Sequence, residues 1–181
     1  MDPDTFFLIE ERLRDTYELI LITTGALEIQ NVGPEKSFSA LDYDKMINQF
    51  KVNTIGPAIL IKNLMRLLPR NGKAVLATLS ARVGSITDNR LGGWISYRAA
   101  KAALNQVVRT ASIEASRKNP KSVFLTLHPG TVISKLTETY IGNHSFVEPD
   151  EAAKNILQVI EQKDFNDTGG FFAFDGKHIP Y

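Results

Sequence analysis

The sequence predicts one α/β domain, a parallel sheet wound with helices on both faces. Three observations predict it: four short apolar runs of strand length, amphipathic helical patterns between them, and crossovers long enough to return each strand parallel to the last. The 181 residues suit a single domain, and a 43% hydrophobic and 23% charged composition is ordinary for a globular chain.

In chain order, Phe7 to Leu13 carries a short helical pattern, and Leu19–Ile22 is the first apolar run. Residues 43 to about 68 form a long helical pattern, with Ile47, Phe50, Ile61, Leu64, Met65 and Leu68 at helical spacing. Ala74–Ala77 is the second strand. The next helix begins near Ser96 and carries Leu104, Val107, Val108 and Ala111 in an i, i+3, i+4, i+7 stripe. Val123–Leu127 is the third strand. A helix opens at Pro149, a favoured first-turn residue, with Asp150 and Glu151 suited to the helix dipole, and runs through Ile156, Val159 and Ile160. Phe171–Phe174 closes the sheet. Parallel sheets bind ligands beyond the carboxyl ends of their strands. That directs attention to Thr23-Thr24-Gly25-Ala26, Leu79-Ser80-Ala81 and His128-Pro129-Gly130-Thr131.

Composition narrows the function. A net charge of +1 without a basic stretch favours neither nucleic acid nor an anionic membrane. The chain has no cysteine, which removes disulfides and thiolate catalysis and suits a reducing compartment such as the cytoplasm. His128, His144 and His178 are scattered, so no metal site is expected. The N-terminus, MDPDTFFLIEER, has neither the basic flank of a signal peptide nor the length of a membrane span.

Tyr97 and Lys101 stand four apart at the start of a helix and project from one face. A phenol titrates near ~10, and a cation one turn away is expected to lower that value toward the working range of an acid or base. The structural reading of the same pair is a tyrosine packed at a helix start beside a surface lysine. Its neighbours weigh against that. SYRAAKAALNQ (Ser96–Gln106) follows the loop LSARVGSITDNRLGGW (Leu79–Trp94), FKVNTIG (Phe50–Gly56) lies in the long helix, and TTGAL (Thr23–Leu27) follows the first strand. HPGTVISKL (His128–Leu136) follows the third strand, and the chain ends in GGFFAFDGKHIPY.

In these segments, ordered along nearly the whole chain, the sequence resembles the short-chain dehydrogenase/reductase family, in the branch of C-factor and sniffer-type carbonyl reductases. The resemblance implies a Rossmann-like fold and hydride transfer between a nicotinamide cofactor, NAD or NADP, and a small-molecule carbonyl compound or secondary alcohol. It implies Tyr97 as acid/base and Lys101 as the group that lowers its pKa and holds the nicotinamide ribose. Asn53 would interrupt its helix and hold a relay water. Thr23, Thr24 and Gly25 would line the cofactor, and Pro129, Gly130, Val132 and Ser134 would border the nicotinamide. Relatives carry a serine three residues before the loop glycine, where this chain has Ala81. Ser80, one position earlier, is the first candidate for that hydroxyl, Ser85 the second, and no serine at all the third. Residues 88–94 look like an insertion over the substrate, or a surface turn.

The family's glycine-rich phosphate turn and first two strands have no counterpart here, so the fold is expected to be N-terminally incomplete. On that expectation the NAD versus NADP preference is not legible, Leu19–Ile22 lies at an exposed sheet edge, and the 181 residues alone bind dinucleotide poorly. The competing reading is a catalytically silent fragment acting through protein contacts. The resemblance further implies a homodimer or homotetramer built on the helices at 43–68 and 96–117.

Overall fold

The structure, a computed structural model, describes residues 13, 15–133 and 146–181. The pattern at Phe7–Leu13 lies, apart from Leu13, outside the described residues, as do Ser134 and His144. Four parallel strands, β1 (Leu19–Ile22), β2 (Ala74–Leu79), β3 (Ser122–His128) and β4 (Gly170–Ala173), form one sheet in the order β1-β2-β3-β4. Ile22 aligns with Thr78, Leu79 with Leu127, and His128 with Ala173. The carboxyl ends of the strands therefore emerge side by side.

The central apolar runs are strands because both faces are covered. Ala74, Leu76 and Ala77 in β2 and Val123, Phe124, Leu125 and Leu127 in β3 are wholly buried. Even-numbered side chains, Leu76 and Phe124 among them, pack with Leu60, Ile61, Leu104 and Val108. Odd-numbered ones, Val75, Ala77, Leu125 and Leu127, pack with Ile156, Val159 and Ile160. The strands extend to Leu79, Ser122 and His128 beyond the apolar runs, while the last ends one residue short of Phe174.

The segment from 43 to 68 departs from one continuous helix. Helix α1 (Tyr43–Phe50), capped by Asp42, passes into a π-helical turn at Lys51–Ile55, then α2 (Gly56–Leu64), and ends in a 3-10 turn at Met65–Leu67. Helix α3 (Ile95–Lys118) covers the same sheet face, and α4 (Pro149–Gln162), with Pro149, Asp150 and Glu151 in its first turn, covers the other. No helix among the described residues is long and apolar enough to cross a membrane.

Candidate active site

At the carboxyl ends of β1 and β2, four elements meet around Lys101. Its side chain enters from the first turns of α3, is only 3% exposed, and donates from Nζ to the carbonyl of Leu79 at 3.1 Å. The ammonium lies 5.8 Å from the centroid of the Tyr97 ring. Gly25, after β1, closes the other side: a Cβ there would stand 2.9 Å from Lys101 Nζ and 3.1 Å from Asn53 Oδ1. Gly84 does the same from the loop after β2, where a Cβ would sit 2.8 Å from Lys101 Cβ and 2.9 Å from its carbonyl carbon. Gly84 demands glycine because it abuts the backbone of α3, whereas a Cβ at Gly25 would displace the Lys101 ammonium.

Asn53 is wholly buried in the π-turn. Its amide clamps the backbone of Ala26, with Nδ2 donating to the carbonyl at 2.8 Å and Oδ1 accepting the N–H at 3.0 Å. Nδ2 also donates to Gln49 Oε1 at 2.7 Å, and Gln49 Nε2 donates to the carbonyl of Leu27 at 2.7 Å. Two neighbouring residues thus fix the loop after β1. Thr54 reaches the opposite way, donating to the carbonyl of Ala100 at 2.7 Å and fastening the turn to α3. Pro57 has no N–H to offer the carbonyl of Asn53 four residues back, and the N–H of Gly56 instead reaches the carbonyl of Lys51. The wide turn follows.

Tyr97 is 7% exposed, and burial pushes its phenol up to about 12. Burial also brings the Lys101 ammonium down to about 8. The expected lowering of the phenol by the lysine is therefore absent in the protein alone. Desolvation disfavours the charged form of each group, and the lysine points to the Leu79 carbonyl.

Ser80 and Ser85 are both buried and both engaged. Ser80 Oγ donates to Asn105 Oδ1 at 2.7 Å. Ser85 Oγ donates to the carbonyl of Pro180 and accepts the N–H of Asp88 at 3.1 Å. Ala81 stands between them. At the end of β1, Thr24 Oγ1 is buried without a hydrogen-bond partner among the described residues, and Thr23 is exposed. Pro129, Gly130 (φ +83°) and Val132 continue from β3, each partly exposed. The chain then pairs Val132 with Val147. A buried orphan hydroxyl at Thr24 and the Cβ-free approach at Gly25, beside an ammonium one turn from a phenol, are donors and space that fit the ribose and nicotinamide end of a dinucleotide.

Sequence reasoning singled out residues 88–94 as an insertion or a surface turn but missed Glu35 and Arg98, which support this cluster. The buried carboxylate of Glu35 accepts the N–H of Ser96 at 3.2 Å and the Ser96 hydroxyl, satisfying the open end of α3. Gly92, Gly93 and Trp94 form three successive left-handed residues before α3, and the Trp94 ring stands edge-on to Tyr97 with centroids 6.3 Å apart. For a tryptophan that backbone costs on the order of 1–3 kcal/mol. Arg98 straps the turn down, giving Nε to the carbonyls of Gly93 at 2.9 Å and Gly92 at 3.2 Å. In the same loop, Asp88 pairs with Arg82 at 2.6 Å.

The family profile described as enoyl-(acyl carrier protein) reductase matches residues 21–178. The chain is 34% identical over 164 residues to 1-hydroxy-2-glutathionyl-2-methyl-3-butene dehydrogenase of Rhodococcus sp. (strain AD45), covering 91% of this chain and 68% of that protein. It is 30% identical over 166 residues to the C-signal protein of Myxococcus xanthus, covering 88% of this chain and 96% of that one. Among solved structures, the fold matches carbonyl reductase Sniffer of D. melanogaster with a TM-score of 0.82 at 20% identity, over 98% of this chain and 72% of that one. It matches the NADPH-bound carbonyl reductase from chicken fatty liver with a TM-score of 0.83 at 24% identity, over 98% and 68%. A profile that spans the sheet from β1 to β4, and a relative one-third identical along nearly the whole chain, place the parallel sheet and its Tyr97–Lys101 helix in one lineage: this chain belongs to the short-chain dehydrogenase/reductase family of oxidoreductases.

Proposed function

We propose that the chain interconverts a small carbonyl compound and the corresponding alcohol, a secondary one where the carbonyl is a ketone, with NAD or NADP, Tyr97 giving or taking the proton. The observation that carries this reading is the burial of Lys101 one turn from Tyr97, in a pocket that Gly25 and Gly84 keep open for it. A nicotinamide, when bound, supplies or accepts the hydride. Lys101 Nζ would hold the ribose hydroxyls, Thr23, Thr24 and Gly25 one wall of the site, and Pro129, Gly130 and Val132 the other. Ser134, proposed for the same wall, lies outside the described residues.

In the direction of reduction, Tyr97 must arrive protonated, and a phenol pushed up to about 12 by burial is fully protonated at neutral pH. It then donates to the oxygen on which negative charge develops. The carbonyl of Asn53, which Pro57 cannot bond, is the acceptor we assign to a relay water leading from Lys101. Ser80 remains the proposed serine over Ser85, because its single partner is a side-chain amide that can turn, whereas Ser85 is held by two backbone groups. Family membership does not favour the silent-fragment reading. In a protein that also carries the family's glycine-rich phosphate turn, Tyr97→Phe tests the assignment: oxidation of NADPH or NADH with a carbonyl substrate should vanish while cofactor binding persists, and retention of most activity would exclude Tyr97 as the acid/base.

We further propose a homodimer or homotetramer. A groove of about 950 Å³ between α2 and α3, lined by Ala58, Met65, Val107 and Ala111, offers the apolar surface for it. The cysteine-free composition is compatible with the cytoplasm, the compartment we propose.

A further inference from the structure

We propose that Trp94 selects the substrate, forming the wall against which the group on the carbonyl carbon packs, and that it favours flat, π-bearing substituents over saturated ones of equal size. This rests on the carbonyl-reductase reading above and gives that site a substrate class.

The argument begins with the backbone. Trp94 sits at φ +51° and ψ +41°, directly after Gly92 at +65° and Gly93 at +63°. Glycine adopts this region freely; a bulky side chain does not. The conformation is over-determined from both sides. The Trp94 N–H donates to the carbonyl of Glu35 at 2.5 Å, and the Trp94 carbonyl accepts the N–H of Arg98 at 2.8 Å. Arg98 binds the two glycine carbonyls before it and reaches the carbonyl of Val83 with Nη1 at 3.3 Å. The Glu35 carboxylate, meanwhile, holds the first turn of α3 through Ser96. A helix start needs none of this strain, since an extended residue serves as well at that position. Strain held this firmly aims a side chain, and the indole is aimed at Tyr97.

Trp94 lies outside the helix, and its left-handed turn rather than helical spacing brings the indole against Tyr97, with ring planes inclined at 68°. A substrate oxygen taking the Tyr97 proton must come within about 3 Å of the phenol oxygen. One substituent of its carbonyl carbon then lies alongside the partly exposed indole. An indole attracts an aromatic partner beyond the gain from buried area, by roughly two- to tenfold in affinity.

The experiment compares kcat/KM for benzaldehyde and for cyclohexanecarboxaldehyde in the full chain, in Trp94→Phe and in Trp94→Leu. The two aldehydes differ in intrinsic reactivity, so the quantity read is the change in their ratio between proteins. Trp94→Leu should lower the aryl preference roughly three- to tenfold, and Trp94→Phe should retain most of it. An unchanged ratio in Trp94→Leu, whether or not both rates fall, overturns the proposal. A second measurement covers a variant that does not fold and a wild-type protein that reduces neither aldehyde, the latter being a failure of the enzymatic reading. Trp94 is the only tryptophan, so its emission reports on its own surroundings. Titrated with benzyl alcohol and with cyclohexylmethanol in the presence of NADP, it should respond saturably to the first at a concentration at least threefold below the second. Equal responses, or none, refute the assignment.

Discussion

Replacing Asn53 by alanine should be among the most damaging single changes to this chain. The substitution strands one buried group, the Oε1 of Gln49, and two partly buried ones, the N–H and the carbonyl of Ala26, now bonded at 2.7, 3.0 and 2.8 Å. Each lost bond is worth about 1 kcal/mol net, and a buried partner left unsatisfied costs about 1–3 kcal/mol. A loss of about 3–5 kcal/mol follows, a large part of the roughly 5–15 kcal/mol that holds a typical domain together. Gln49→Ala removes the shared Gln49–Asn53 bond and the bond to the Leu27 carbonyl. The double variant should therefore be less unstable than the two single losses added, by about 1 kcal/mol. Urea unfolding followed by circular dichroism, with all four proteins at one pH, measures both quantities. A loss below about 1 kcal/mol for Asn53→Ala, together with strict additivity, would mean that the clamp on Ala26 does not hold in solution, and the account of the site would fall with it.

Stability should also depend on alkaline pH through Lys101. Its pKa falls from 10.5 in the unfolded chain to about 8 in the fold, so between those values the unfolded state binds more protons and stability rises with pH. At 1.36 kcal/mol per pH unit the gain approaches about 3 kcal/mol, and Lys101→Met should abolish it; a rise of equal size in that variant would assign it elsewhere. Above pH 10 the sign reverses, because Tyr97 stays protonated in the fold to about 12 while the unfolded phenol ionises. If Ser80 supplies the hydroxyl that meets the substrate oxygen, Ser80→Ala should lower kcat by about 10²-fold and Ser85→Ala far less; the reverse order would transfer the role. Light scattering at micromolar concentration should find a dimer or tetramer, shifted toward monomer by Ala111→Glu in the groove between α2 and α3, and a wild-type monomer would remove the assembly.

The central strands were legible because strands buried on both faces must be apolar throughout, which is what Ala74–Ala77 and Val123–Leu125 show, whereas Leu19–Ile22 at the sheet edge is only partly covered. Their ends were not, since Thr78, Ser122 and His128 continue the ladder with polar side chains that meet partners or burial inside the fold. Tyr97 and Lys101 announce themselves by spacing and neighbours and Asn53 by the family resemblance, and the structure brings all three together with Gly25. The break in the helix between residues 43 and 68 had a signal in Pro57, six residues beyond the turn's first residue, yet an apolar stripe reads smoothly across it. Glu35 had none. A carboxylate in a loop reads as solvated, and only the folded chain shows it closing the start of α3. The pKa of Tyr97 eluded spacing for a similar reason: proximity to a cation was visible, the burial of both groups was not.

The π-turn at Lys51–Ile55 also governs how this chain tolerates change in length. A regular helix advances about 100° per residue, so one residue more or fewer rotates everything on one side of the change against the other. The turn already contains such an excess, absorbed locally. Removing one of its residues would rotate the flanking halves against each other, with Pro57 still lacking an N–H for the ladder, and the helix would no longer point Asn53 at Ala26 and Thr54 at Ala100 at once. Point substitutions at exposed Lys51 or Ile55 leave that phase untouched. Here the count of residues is under stricter control than their identity.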